Sequence, residues 1–355
     1  MSPARMLAPV LILSSGRCGS TMVSELLNRH PGVLSLSEFF VPLGSSAFAW
    51  PRPDGERMWR IYTEQDPALH AMLKDGHVVD EMLYKLGAPG ARHVAADIPP
   101  IMMVTLPHLT DEAEALLDAL APFVRGQPRM PLADHYEALF GHLAARFGRR
   151  VWVERSGGSL MLAAKLLRLF PQARVVHVYR DGRDTAMSMA QHHNFRILVG
   201  AIKACRRYGL DATRRFTSDR VGLLDRLAQR LAFSLLDLRK IAESEVTLAD
   251  FGAFWSRLIL VGQQVLGGLP PERLLNIRFE DVQCAPRETL RGLIRFIDPS
   301  LEDEAWLDAV AAIPRPTRSK FPGLPLAEQH ALNAACAPGL AALGYPLEHP
   351  MARPA

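Results

Sequence analysis

Leu11-Ile-Leu-Ser-Ser-Gly-Arg-Cys-Gly-Ser-Thr-Met-Val-Ser-Glu-Leu-Leu27 is the stretch on which the fold turns. A short apolar run ends in Ser14-Ser15-Gly16-Arg17-Cys18-Gly19-Ser20-Thr21, and apolar residues then recur at helical spacing at Val23, Leu26 and Leu27. The pattern predicts a buried strand over 7–13, a tight glycine-containing loop and a helix over 20–30. Such a loop aims backbone N–H groups and the positive end of a helix dipole at an anion. Asn28-Arg29-His30-Pro31-Gly32 stops the helix, with Pro and Gly just past its last turn.

A Walker-type triphosphate loop needs Lys immediately before its Ser or Thr. Gly19 holds that place here, and the cation is Arg17, inside the loop. Outward from this point, Val33 to Leu36 is a second strand and 42–56 a Pro/Gly-rich loop. Residues 57–147 read as mainly helical, with the clearest amphipathic stretches at 111–120 and 135–143. Strands follow at 149–153, 173–179 and 274–279, and helices at 160–170, 184–193 and 285–297. Residues 200–262 are mostly helical and 313–325 a Pro/Arg-rich loop. Strands alternating with helices predict an α/β fold, an open, mostly parallel sheet flanked by helices with right-handed crossovers. The whole of 1–355 reads as one domain, with mainly helical insertions at 45–148 and 195–265.

Composition narrows the classes. The chain has 355 residues, 48% hydrophobic and 22% charged, which is ordinary globular usage. A formal charge of +4, with no Lys/Arg block and no aromatic-basic interleaving, excludes a nucleic-acid-binding signature. A basic pocket for an anionic ligand accounts for the balance. Cys18, Cys205, Cys284 and Cys336 are too widely spaced for a CxxC or zinc pattern, so free thiols in a reducing, cytoplasmic compartment are expected. Cys18 is either a reactive thiol or a small residue that suits a tight turn. The run from Met6 to Leu13 after Arg5 mimics a secretory signal but leads into the anion loop, and reads as the first buried strand. No segment is apolar for long enough to predict a transmembrane helix.

A second turn has chemistry of its own. In Val178-Tyr-Arg-Asp-Gly-Arg-Asp-Thr-Ala-Met-Ser188 a strand ends at Arg180 and a helix begins near Asp184. Arg180 and Ser188 could pinch one phosphate across the turn, or Arg180 could simply pair with Asp181 or Asp184. Taken together, the two stretches resemble the sulfotransferase family, whose fold is P-loop-NTPase-like and whose donor is 3′-phosphoadenosine-5′-phosphosulfate. In that family the first loop holds the 5′-phosphosulfate, and a strand-end Arg with a Ser eight residues on holds the 3′-phosphate. Arg17, Gly19, Ser20 and Thr21 match the first motif, and Arg180 and Ser188 the second. Arg17 stands where many members have Lys. Glu154-Arg155-Ser156, Arg278-Phe279-Glu280-Asp281 before Pro286, and Leu343-Gly344-Tyr345 are further echoes. The likeness covers 7–40, 150–193 and 272–298.

The resemblance implies roles. Arg17, with residues 18–21 (Cys18, Gly19, Ser20, Thr21), would hold the donor and stabilise charge on the departing 5′-phosphate. Arg180 and Ser188 would fix the 3′-phosphate, and Arg318 and Lys320, in Arg315-Pro-Thr-Arg-Ser-Lys320, would either close over it or form a solvated loop. The His used as base by animal-type members is missing from 155–159, so Glu38, where other branches carry a Glu, would be the base, desolvated by Phe39 and Phe40. His192 and His193 are the fallback. Arg155 would reach the acceptor, or else form an ion pair with Glu154 or Asp184. Phe279 would pack on adenine or lie buried in the sheet. No metal is expected, because a sulfuryl group carries less charge than a γ-phosphate.

The function expected is therefore sulfuryl transfer to an acceptor hydroxyl on a small metabolite, lipid or glycan, with release of adenosine 3′,5′-bisphosphate. The helical insertions would shape the acceptor pocket, and Ala- and Arg-rich composition suggests a bacterial protein. Two alternatives stand beside it: a P-loop kinase with a degenerate Walker loop, and a non-catalytic nucleotide-binding module.

Overall fold

In the computed structural model, residues 6–65, 82–207 and 246–348 are described. The helical expectations for 66–81 and 208–245 lie outside the described residues. Five strands form one sheet: β1 (Val10–Ser14), β2 (Val33–Ser37), β3 (Val151–Arg155), β4 (Arg174–Tyr179) and β5 (Leu274–Arg278). Their order is β2-β3-β1-β4-β5, and every pairing is parallel. Because β1 is central, the chain leaves it towards β2 on one side and later crosses to β4 on the other. That reversal opens a crevice at the carboxyl ends of β1, β3 and β4, where open α/β sheets bind ligands.

Strands β1 to β4 are buried almost throughout, which is why they are largely apolar runs, whereas β5 lies at the sheet's edge and is partly exposed. Val10, Ile12, Val33, Val151, Val153, Val176 and Val178 pack with α1 (Ser20–Asn28) and, further along the chain, with α9 (Pro286–Ile297) and α10 (Glu304–Val310). Leu11, Leu13, Leu34, Leu36, Trp152 and Val175 face a larger core. That core is built by α2 (Gly55–Thr63), α3 (Ala113–Arg125), α4 (Leu132–Arg146), α5 (Ala163–Leu169), α8 (Leu248–Leu266) and α11 (Leu326–Ala342). Between them in sequence run α6 (Gly182–Ala190) and α7 (His193–Arg207). The Phe39, Phe40, Tyr62, Tyr136 and Phe140 rings meet edge to face within this core.

Several expected elements move. β1 and β3 begin later than predicted; Pro9, just before β1, has no N–H to give to a ladder, though its carbonyl accepts the Arg174 N–H at 2.8 Å. The expected loop over 42–56 contains helical turns at Phe40–Leu43 and Gly44–Phe48. Residues 82–99, expected to be helical, are turns and irregular backbone. The helix expected at 184 starts at Gly182, because Asp181 caps it by accepting from the Arg183 N–H at 2.8 Å. The helix expected through 193 breaks at Gln191 and restarts as α7. Neither α10 nor α11 was expected: α10 is short, and α11 spreads small apolar residues round its whole circumference. No helix among the described residues is long and apolar enough to cross a membrane.

Candidate active site

The loop between β1 and α1 is held in a strained shape. Gly16 and Gly19 have φ of 79° and 84°, and between them Arg17, a residue with a Cβ, sits at 56°. A β-carbon on Gly19 would lie 2.1 Å from the Phe279 ring, so only glycine allows that ring to cover the helix start. The Ser14 hydroxyl donates to Ser20 Oγ at 3.1 Å and accepts the Gly16 N–H at 3.3 Å, which pins the loop from beneath. Cys18 points the other way: its buried thiol donates to the Val178 carbonyl at 3.2 Å, and burial pushes it above the ordinary thiol range. It is therefore the small turn residue and not a reactive thiol.

The second turn faces the first. The Arg17 Nε donates to Ser188 Oγ at 3.3 Å, across 171 residues of sequence. Arg180 lies 3.6 Å from Asp184, and its guanidinium sits 5.8 Å above the Phe279 ring. Phe279 opens the short helix Phe279–Cys284 just beyond β5; it is buried in the core on one face of the sheet, and its ring lies between Gly19 and Arg180. Glu280, next to it, accepts the Asp181 N–H at 3.0 Å and the Tyr345 hydroxyl at 2.8 Å. The residues after β5 and the chain's Leu343-Gly344-Tyr345 segment thus brace the turn that presents Arg180.

Glu38 follows β2 directly with φ 51°, again left-handed for a residue with a side chain. Its N–H donates to the Arg155 carbonyl at 2.7 Å, and its own carbonyl accepts from the Thr105 hydroxyl at 3.1 Å. Its carboxylate takes the Gly157 N–H at 2.9 Å and a hydrogen-bonded ion pair from the buried Arg155 guanidinium. Arg155 also donates to the Thr21 hydroxyl. The partner of Arg155 is therefore Glu38, and neither Glu154 nor Asp184. Phe39 and Phe40 pack into the aromatic core, so the carboxylate is met by Arg155 and Gly157 and not by the expected phenyl rings.

A cleft of about 540 Å³ gathers these groups. Arg17, Gly19, Ser20 and Thr21 line it with Glu38 and Arg155, and Arg180, Ser188, His192 and Asn194 add to its polar side. Cys18, His193, Arg318 and Lys320 do not line it. Arg318 and Lys320 are exposed, though the Ser319 hydroxyl and Lys320 N–H tether their segment to Asp184, the partner of Arg180. Val41, Met103, Val104, Met161 and Leu198 form an apolar side that sequence reading did not single out. The Gly157-Gly158 pair was the available signal for the Glu38 clamp, since Gly158 turns the chain at φ 73°. Among the described residues no group of three or more His, Cys, Asp or Glu converges as a metal site.

The model of the family described as "Sulfotransferase family" matches residues 9–239, which takes in both turns and Glu38. The chain belongs to the sulfotransferase family. No curated protein sequence matches it. Among solved structures it is similar to the sulfotransferase domain from the curacin biosynthetic pathway, at 16% identity and a TM-score of 0.44, covering 97% of this chain and 100% of that one. It is also similar to sulfotransferase STF9 from Mycobacterium avium, at 17% identity and a TM-score of 0.43, covering 98% and 79%.

Proposed function

We propose that the protein transfers a sulfuryl group from 3′-phosphoadenosine-5′-phosphosulfate to the hydroxyl of a small-molecule, lipid or glycan acceptor. The observation that carries this reading is the Arg17–Ser188 bond, which turns two separate anion-binding loops onto one cleft. A donor with phosphate at both ends suits a cleft lined by Arg17 from one turn and Arg180 from the other. The Phe279 ring, 6% exposed and seated between the loops, suits an adenosine between them. Bound there, the donor supplies the sulfuryl group and leaves as adenosine 3′,5′-bisphosphate.

The chain's own residues divide the work. Arg17 and the first-turn N–H groups of α1 face the oxygen on which charge builds, and so stabilise the transition state more than the ground state. Arg180 and Ser188 fix the 3′-phosphate. Glu38 accepts the acceptor's proton as the acceptor oxygen bonds to sulfur and the bond from sulfur to the 5′-phosphate breaks, its electron pair staying on the bisphosphate. Arg155 is a positioning residue: it aims the Glu38 carboxylate and ties it to Thr21.

Calorimetric titration with adenosine 3′,5′-bisphosphate, beside ATP with magnesium, tests the reading. The bisphosphate is expected to bind and ATP to bind far more weakly; the reverse order would favour the kinase. Arg180→Ala removes charge-assisted hydrogen bonds worth roughly 1.5–3 kcal/mol each, so bisphosphate affinity should fall at least about tenfold. Unchanged affinity would remove Arg180 from the donor site.

A further inference from the structure

We propose that the acceptor is an uncharged alcohol carried on a long alkyl chain. This rests on the sulfuryl-transfer reading and narrows it. The cleft has two unlike halves. Its charged side chains, Arg17, Glu38, Arg155 and Arg180, belong to the anion turns and the Glu38 clamp. Beyond Glu38 the described wall is mostly apolar, chiefly Val41, Met103, Val104, Met161, Phe195 and Leu198, and its polar members are His192 and Asn194.

The apolar wall starts at the carboxylate. Thr105 donates to the Ser37 and Glu38 carbonyls at 2.9 and 3.1 Å, which sets its neighbours Val104 and Met103 beside Glu38. The Gly157 N–H that holds the carboxylate leads into the turn bearing Met161. Val41 stands three residues past Glu38 and is 43% exposed. The track continues outward: the Leu83 N–H donates to the Met103 carbonyl at 2.9 Å, and Leu83 is 46% exposed.

Hydrogen bonding and volume select the ligand. A sugar brings several hydroxyls, each of which loses a water partner on entry and needs a replacement. The described wall offers only His192 and Asn194 for that, whereas its aliphatic side chains match methylene groups, and methionine adapts to an unbranched chain. Second, about 540 Å³ must hold the donor as well as the acceptor. A long chain then cannot be enclosed and leaves over Val41 and Leu83, the two exposed apolar residues on that track.

The test is binding of the 1-alkanols from butanol to nonanol, measured by calorimetry with and without adenosine 3′,5′-bisphosphate, beside glucose and sucrose. Burial of successive methylenes should tighten binding about three- to fourfold each, until the chain passes Val41. Met161→Gln and Leu198→Asn, both at half-buried positions, should flatten that slope while bisphosphate affinity, which reports the fold, is kept. Affinity independent of chain length, or a sugar bound more tightly than nonanol, overturns the proposal. Failure of the bisphosphate alone to bind overturns the donor reading and leaves the chain-length result to judge this one.

Discussion

Glu38 and Arg155 show how a single buried pair can serve both stability and chemistry. Each group alone would be costly to bury, and together they offset each other through the hydrogen-bonded ion pair. Arg155→Met leaves an uncompensated buried carboxylate and should lower unfolding free energy by about 3–5 kcal/mol. The double variant with Glu38→Gln should recover much of that loss in urea denaturation; an additive double variant would deny the coupling. Glu38→Gln alone should keep bisphosphate binding and lower turnover of labelled donor by roughly a hundredfold. Turnover near that of the parent chain would exclude Glu38 as base. Glu154, one residue before Arg155, is fully buried, and burial pushes its carboxyl up to about 8. Its folded-state value lies above the unfolded one, so the folded chain holds a proton that the unfolded chain has lost. Stability contributed by this group is complete below about pH 4.5 and falls as pH rises through 8. Glu154→Gln should therefore gain on the parent chain in thermal stability between pH 5 and 8.5. A gap independent of pH would contradict the buried acid.

At the scale of elements, the β1–α1 loop concentrates its conformational demand in a few positions. Gly16, Arg17 and Gly19 all lie in the left-handed region, which costs a residue with a Cβ roughly 1–2 kcal/mol. Arg17 accepts that cost with its side chain directed to Ser188. Gly19→Ala adds the same backbone strain and drives its methyl into the Phe279 ring. Both bisphosphate affinity and melting temperature should drop, and a variant that kept both would show the loop to be more plastic than its geometry suggests. The turn after β4 is supported differently, by the Asp181 cap on α6 and by Glu280 from the helix after β5. Two elements about 100 residues apart therefore set where Arg180 points.

The whole molecule makes one crevice from distant sequence because β1 lies between β3 and β4. Helices α8 and α11 close the larger core behind it: Gly252 and Gly339 let them approach until Cys336, Leu332 and Trp255 fill the space a side chain would take. Leu332 is completely buried there, so Leu332→Ala should cost about 2–5 kcal/mol in chemical denaturation. A cost under 1 kcal/mol would mean that α11 contributes little to the core.

The amino-acid order alone was enough for the strand-loop-helix of residues 10–28, the parallel sheet and the strand-turn-helix that carries Arg180 and Ser188. These depend on local periodicity, glycine placement and short spacing, which act within a few turns of chain. It could not pair Arg155 with Glu38, turn Cys18 inward or set Phe279 between two loops. Each of those outcomes depends on which strand lies beside which, and on the packing that brings residues more than 100 positions apart into contact. The apolar side of the cleft belongs with them, since Val41, Met103, Met161 and Leu198 come from four separate segments that only the closed core brings to one wall.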